Sequence, residues 1–154
     1  MKKPVLHAVT TGKKSIEETV SNCFEISPHV EAIHIREHQK TAREIYELGK
    51  KMIDFGIPAD KIIINNRVDA AAALGVSQVQ LGYHSLPVNV VKESFSRLSI
   101  GKSVHSLSEA VEAEEEGADY ILFGHVYPTS SKKGLTPRGL DELTQLISNV
   151  TIPV

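Results

Sequence analysis

The sequence predicts an α/β fold on a parallel sheet, and three observations carry that prediction. Short runs rich in Ile and Val alternate along the chain with charged segments of helical spacing. The runs hold few charges, as strands buried on both faces require. One strand and one helix recur every ~20–30 residues, a period that implies neighbouring parallel strands.

Taken in order, the expected strands cover residues 6–10, 32–37, 61–65, 79–82, 99–104 and 120–126. The expected helices cover 15–26, 41–55, 67–74, 87–95, 107–116 and 140–147. Local punctuation supports the helices. Ser15 stands three residues before Glu18, and Thr41 three before Glu44. Both pairs predict capping boxes, in which the hydroxyl takes a free backbone N–H and the carboxylate reaches back to the cap. Gly56 and Gly75 follow helices, where a left-handed C-cap favours a residue without Cβ. In the fifth helix Ala110, Val111 and Ala113 form an apolar stripe. Glu109, Glu112, Glu114, Glu115 and Glu116 around it read as a solvated face rather than a cation site.

Composition narrows the function. The 154 residues suit one domain with a sizeable core. Seventeen basic against nineteen acidic residues give a net charge of −2, so neither nucleic acid nor an anionic membrane is an expected partner. Cys23 is the single cysteine, which rules out an internal disulfide or a paired-cysteine zinc site. Lys2 and Lys3 resemble the start of a signal peptide, but His7 and Thr10 break the apolar run. No stretch reaches the roughly 20 apolar residues of a membrane span. A cytoplasmic protein is expected.

Strand–helix alternation fits an open doubly wound sheet or a closed barrel. No GxGxxG or GxxxxGKS loop is present, which weighs against the nucleotide-binding open sheet. A TIM barrel has eight βα units. Six are visible before the closing Thr151-Ile152-Pro153-Val154, which reads as the opening of a seventh strand. The expectation is a single TIM (β/α)8 domain over 1–154, truncated after the sixth unit. Strands one and six would then have unpaired outer edges, through which a homo-oligomer could form.

Barrel chemistry gathers at the carboxyl ends of the strands. After strand two, alternation puts His34 and Arg36 on one face, and Arg36 could hold a phosphate or carboxylate on its guanidinium fork. An internal salt bridge is the competing role for Arg36. Asn65 and Asn66 follow strand three as amide donors and acceptors, or as a turn capping the next helix. In strand five Gly101, Ser103 and His105 share a face. Gly101 leaves space and Ser103 can donate to a ligand, while His105 can equally orient the next helix. After strand six, His125 precedes hydroxyls, Lys132, Lys133 and Gly134. Imidazole takes and returns a proton near neutral pH, and lysines attract anions. His7, His29 and His84 offer no useful spacing, and His34 and His38 straddle a strand end, so no zinc site is expected.

The segments IHIREHQK, INNRVDAAAALG, VQLG, IGKSVHS, ADYILFGHVYPTSSKKG and TIPV fall in order at strand ends. Together they make the chain resemble the thiamine phosphate synthase family, and within it the TenI-like thiazole tautomerases. Synthases carry Asn-Asp-Arg where this chain has Asn65-Asn66-Arg67. They carry His-Leu-Gly-Gln followed by Asp where it has Gln80-Leu81-Gly82-Tyr83 and then Ser85. In the synthases those two aspartates hold the magnesium that binds a pyrimidine pyrophosphate, whereas Asn66 and Ser85 are neutral. Synthases also read Phe-Gly-Pro where this chain has Phe123-Gly124-His125, as the tautomerases do.

The resemblance therefore implies a cofactor-independent isomerase of thiamine biosynthesis, with His125 as the catalytic acid/base on a carboxylated thiazole phosphate. Arg36, Lys40, Asn65, Asn66, Ser103, His105, Thr129 and Lys132 would bind that substrate, and no metal is expected. A synthase with an altered metal site, or a non-catalytic phosphate-ligand binding protein, is the alternative.

Overall fold

In the computed structural model, residues 5–154 are described. Lys2 and Lys3, on which the signal-peptide reading turned, lie outside them. The chain divides into two compact units, Met1–Gln80 and Leu81–Val154.

The first unit runs β1 (His7–Val9), α1 (Ile16–Ile26), β2 (Ala32–Ile35), α2 (Ala42–Asp54), β3 (Ile62–Asn65), α3 (Val68–Leu74) and most of β4 (Gln78–Leu81). Each strand pairs in parallel with the next. Register sorts the side chains. Ile33, Ile35, Ile62, Ile64 and Val79 share the helix-covered face and are fully buried. Leu48 and Met52 of α2 are fully buried as well. Each such Ile or Leu contributes roughly 1.5–3 kcal/mol. Gly49 permits close helix packing: a Cβ there would meet Leu74 Cδ1 of α3 at 2.5 Å.

Both expected capping boxes form, at Ser15 with Glu18 and at Thr41 with Glu44. Gly75 closes α3 at φ 72°, where only glycine is unstrained. Strand β2 stops at Ile35 rather than running on to Glu37. The reason is local: Arg36 N–H donates to the Thr10 side chain at 2.9 Å, not to a ladder carbonyl.

The second unit holds α4 (Val88–Ser94), β5 (Ser99–Val104), α5 (Leu107–Glu115), β6 (Tyr120–Phe123) and α6 (Gly139–Asn149). Strands β5 and β6 are parallel, with Gly101 opposite Tyr120 and Ser103 opposite Leu122. Ile100, Val104 and Ile121 are buried on the other face. Strand β6 ends at Phe123, three residues earlier than expected. Beyond Gly124 the carbonyls turn away from the sheet, and those of His125 and Val126 accept from Arg138 and Gly139 at the start of α6.

Two expectations about this unit need correction. The outer edge of β6 is not bare, because Ile121 N–H donates to Pro153 O at 2.9 Å. The acidic face of α5 is not merely solvated either. Glu114 Oε1 accepts from the backbone of Thr151 and Ile152, Glu116 Oε2 accepts from Val88 N, and Glu109 Oε2 accepts from His105 N. Short carboxylate bridges thus fasten loop backbone to the helix layer. Among the described residues no helix is long and apolar enough to cross a membrane.

Candidate functional site

In the first unit, the face of the sheet opposite the helices carries a polar chain. His7, His34 and Asn65 lie on three consecutive strands. The His7 and His34 rings approach at 3.0 Å through Nδ1 and Nε2, and His34 Nδ1 lies 3.2 Å from Asn65 Oδ1. His34 is 1% exposed, and this burial pushes its pKa down to about 4 against a weaker opposing effect of the Asn65 bond. Burial also lowers the His7 pKa, opposed by the charge of Glu31. The His34 ring is therefore neutral at pH 7, and burial biases His7 in the same direction.

Arg36 follows directly on β2 and is exposed. The competing internal salt bridge is not made: no ion pair engages its guanidinium among the described residues. Lys40 is otherwise engaged. Its Nζ sits 2.9 Å from Glu37 Oε2, a buried carboxylate, and its backbone N–H bonds Glu37 O. The Glu37 Oε2 atom itself has no hydrogen bond of good angular geometry among the described residues. The contact is a charge pair pinning the turn that presents Arg36.

Asn66 adopts φ 64°, and its N–H bonds Gln80 O at 2.9 Å. Asn tolerates this left-handed conformation better than most residues. Asn66 is thus a turn residue, while Arg67 occupies the cap of α3 without a capping side chain. Arg67 also binds Asp69, with Nε donating to Oδ1 at 2.9 Å.

In the second unit, Ser103 and His105 line a cavity of about 270 Å³ together with Tyr83, Ser85, Lys102 and Glu112. His105 leans toward helix α5, its Nδ1 3.5 Å from Glu109 Oε2. Lys102 donates to Gly82 O at 3.0 Å. Sequence reasoning passed over it, although a lone charge inside the Ser99–Val104 strand is a legible signal. His7 is set aside there for want of useful spacing, since its partner depends on strand register.

The peptide before His125 is cis. His125 is half-buried, and its Nε2 is buried with no hydrogen-bond partner among the described residues. Beyond it, Thr129 Oγ1 caps the short 3₁₀ turn Ser130–Lys132 and bonds Ser131 Oγ at 2.8 Å. Lys132 closes that turn and makes no ion pair among the described residues. Asn65 thus ends β3 and Ser103 lies near the end of β5, while Arg36 and Lys40 follow β2, Asn66 follows β3, His105 follows β5, and His125, Thr129 and Lys132 follow β6.

Parallel βα units with polar side chains collected at the carboxyl ends of their strands define the class of βα-repeat proteins that bind ligands there. The profile of the thiamine monophosphate synthase family matches residues 5–154, and the chain belongs to that family. The thiamine-phosphate synthase of Pyrococcus furiosus is 41% identical over 124 residues, covering 80% of this chain and 60% of the relative. That of Desulfitobacterium hafniense is 39% identical over 131 residues, covering 81% and 62%. A putative thiamine-phosphate synthase 2 of Aquifex aeolicus is 35% identical over 156 residues, covering 100% and 84%. Among solved structures, thiamine phosphate pyrophosphorylase from Pyrococcus furiosus superposes with a TM-score of 0.80 at 35% identity, over 97% of this chain and 72% of that one. The chain spans about 60% of the length of the first of these curated relatives.

These relatives overturn the expectation of a thiazole tautomerase. At 35–41% identity they are named as synthases, which are transferases and not isomerases. The tautomerase reading rested on Asn66, Ser85 and His125. A few substituted positions describe how a site has changed, but they carry less weight than similarity spread over the whole chain.

Proposed function

We propose that this chain is the greater part of a thiamine-phosphate synthase with an altered metal site. The 41% identity to the Pyrococcus furiosus synthase is the observation that carries this reading. The single domain would be a (β/α)8 barrel of which residues 1–154 supply six units. Its substrates would be a pyrimidine pyrophosphate and a thiazole phosphate. The thiazole nitrogen would bond to the pyrimidine methylene carbon as the carbon–oxygen bond to pyrophosphate breaks, with the electron pair leaving on the pyrophosphate.

Magnesium would ordinarily steady that leaving group, and the residues here do not fit it. Asn66 and Ser85 bring no negative charge, whereas Mg²⁺ prefers carboxylates. Asp69, the carboxylate closest to Asn66 in sequence, is bound by Arg67. Among the described residues no group of three or more His, Cys, Asp and Glu is placed to hold a metal. The developing charge on pyrophosphate would therefore fall to cationic side chains, for which Arg36 is the candidate in the first unit and Lys132 the candidate in the second. Asn65, Asn66, Ser103, His105 and Thr129 would hydrogen-bond the substrates, and Lys40 would act through Glu37 by fixing the Arg36 turn. His125 Nε2 would find its partner on a substrate.

Incubating the complete protein with both substrates and assaying thiamine phosphate tests this reading. Product formation supports it. The neutral Asn66 and Ser85 favour a second reading, a non-catalytic binder of phosphate ligands, for which tight thiamine phosphate binding without turnover is the expected result.

A further inference from the structure

We infer that His7 and His34 are positioning residues that hold the Asn65 amide with its N–H bonds turned to the ligand. The inference rests on the proposed reading of Asn65 as a substrate contact, and it names what Asn65 can recognise there. The argument starts from one atom. Asn65 Oδ1 lies 3.2 Å from His34 Nδ1, and a carbonyl oxygen only accepts. His34 Nδ1 therefore carries a proton.

The His34 ring is buried and neutral, so it has one N–H. Its Nε2 is then an acceptor. His7 Nδ1, 3.0 Å away, must donate. The relay runs in one direction, from His7 through His34 to Asn65, with every proton assigned.

The far end of this relay is the Asn65 Nδ2 group, which makes none of these bonds. Turning the amide over would reverse the whole relay, with Asn65 Nδ2 donating to His34 Nδ1 and His34 Nε2–H donating to His7 Nδ1, so the amide orientation and the ring tautomers are fixed together. With Oδ1 set against His34, position 65 offers the ligand donors only. It selects an acceptor atom on the substrate and rejects a donor.

Ring-nitrogen NMR on the uniformly ¹⁵N-labelled complete protein, at neutral pH and without substrate, reads the relay directly. Both His7 and His34 are expected in the Nδ1–H form. An Nε2–H form of His34, or rapid averaging between the two, overturns the inference. In a second experiment, thiamine phosphate is titrated against Asn65→Asp, which keeps an oxygen but loses both donors. Its affinity is expected to fall about tenfold or more, as for a hydrogen bond lost to a charged or buried partner. An unchanged affinity contradicts the donor role. Because the NMR measurement needs no turnover, a protein that makes no thiamine phosphate yet shows His34 in the Nδ1–H form removes the proposed function and leaves the relay standing.

Discussion

The strand ends of β1–β3 and the segment after β6 handle their polar groups in opposite ways. In the first region most of the polar groups are matched to one another, with the exposed Arg36 as the exception. His7 meets His34, His34 meets Asn65, Lys40 meets Glu37 and Arg67 meets Asp69. After β6 the functional atoms are less committed: among the described residues the buried His125 Nε2 has no partner and Lys132 makes no ion pair. The contrast separates two uses of polar residues near a sheet. Matched groups fix geometry and contribute stability, and their loss is a folding event. Unmatched groups contribute little to the fold and are suited to meeting a ligand.

The largest test of that contrast is a pair of substitutions. His34→Ala is expected to cost roughly 3–4 kcal/mol, because it opens a cavity and strands two hydrogen-bonding neighbours. His125→Ala is expected to cost under about 1 kcal/mol, as substitutions that break no named interaction do. Denaturant unfolding of both variants measures the difference, and equal losses would erase the distinction between the regions.

Acid should act on the same region. The folded pKa of His34 is about 4 against an ordinary 6.5, so between those values the unfolded chain binds the extra proton. Stability is then complete above pH 6.5 and falls as pH drops toward 4. The loss is on the order of 3 kcal/mol, from the size of the shift. His34→Phe should flatten this slope, and urea midpoints recorded from pH 7 to pH 4 would show it. A slope that survives the substitution would assign the acid sensitivity elsewhere.

A smaller effect is expected at the buried pair. Glu37→Gln leaves Lys40 without its counter-charge but with some access to water, and should cost about 1–2 kcal/mol. The Arg36 turn should loosen with it, raising the Michaelis constant more than it lowers turnover. The smallest effect belongs to Glu114→Gln. Its carboxylate is held below the usual pKa by hydrogen bonds from Thr151 and Ile152. Faster amide exchange at those two residues, with global stability unchanged, is the expected outcome.

How much of this was legible beforehand follows from how local each feature is. The capping boxes at Ser15 and Thr41 were readable because cap and partner are three residues apart. The strands were readable because buried parallel strands concentrate Ile and Val. The ends of β2 and β6 were misjudged, since Thr10 and the start of α6 decide them from a distance. Glu114 looked like a solvated residue because its partner Thr151 lies 37 positions away. His7 looked isolated because register alone brings it to His34. Asn66, Ser85 and His125 were read as departures from the synthase pattern and weighed above the similarity of the rest of the chain. Departures at a site report a change of chemistry without naming the ancestor that changed.

The central claim, a synthase that works without the family's magnesium carboxylates, is tested most directly by one assay. Thiamine phosphate formation by the complete protein is followed in EDTA and again with added Mg²⁺, with both substrates saturating. Product formed at rates that differ by less than about twofold between the two conditions is the predicted result, since cationic side chains rather than a metal would carry the leaving-group charge. Absence of product in both conditions, or activity abolished by EDTA and restored by Mg²⁺, would contradict it.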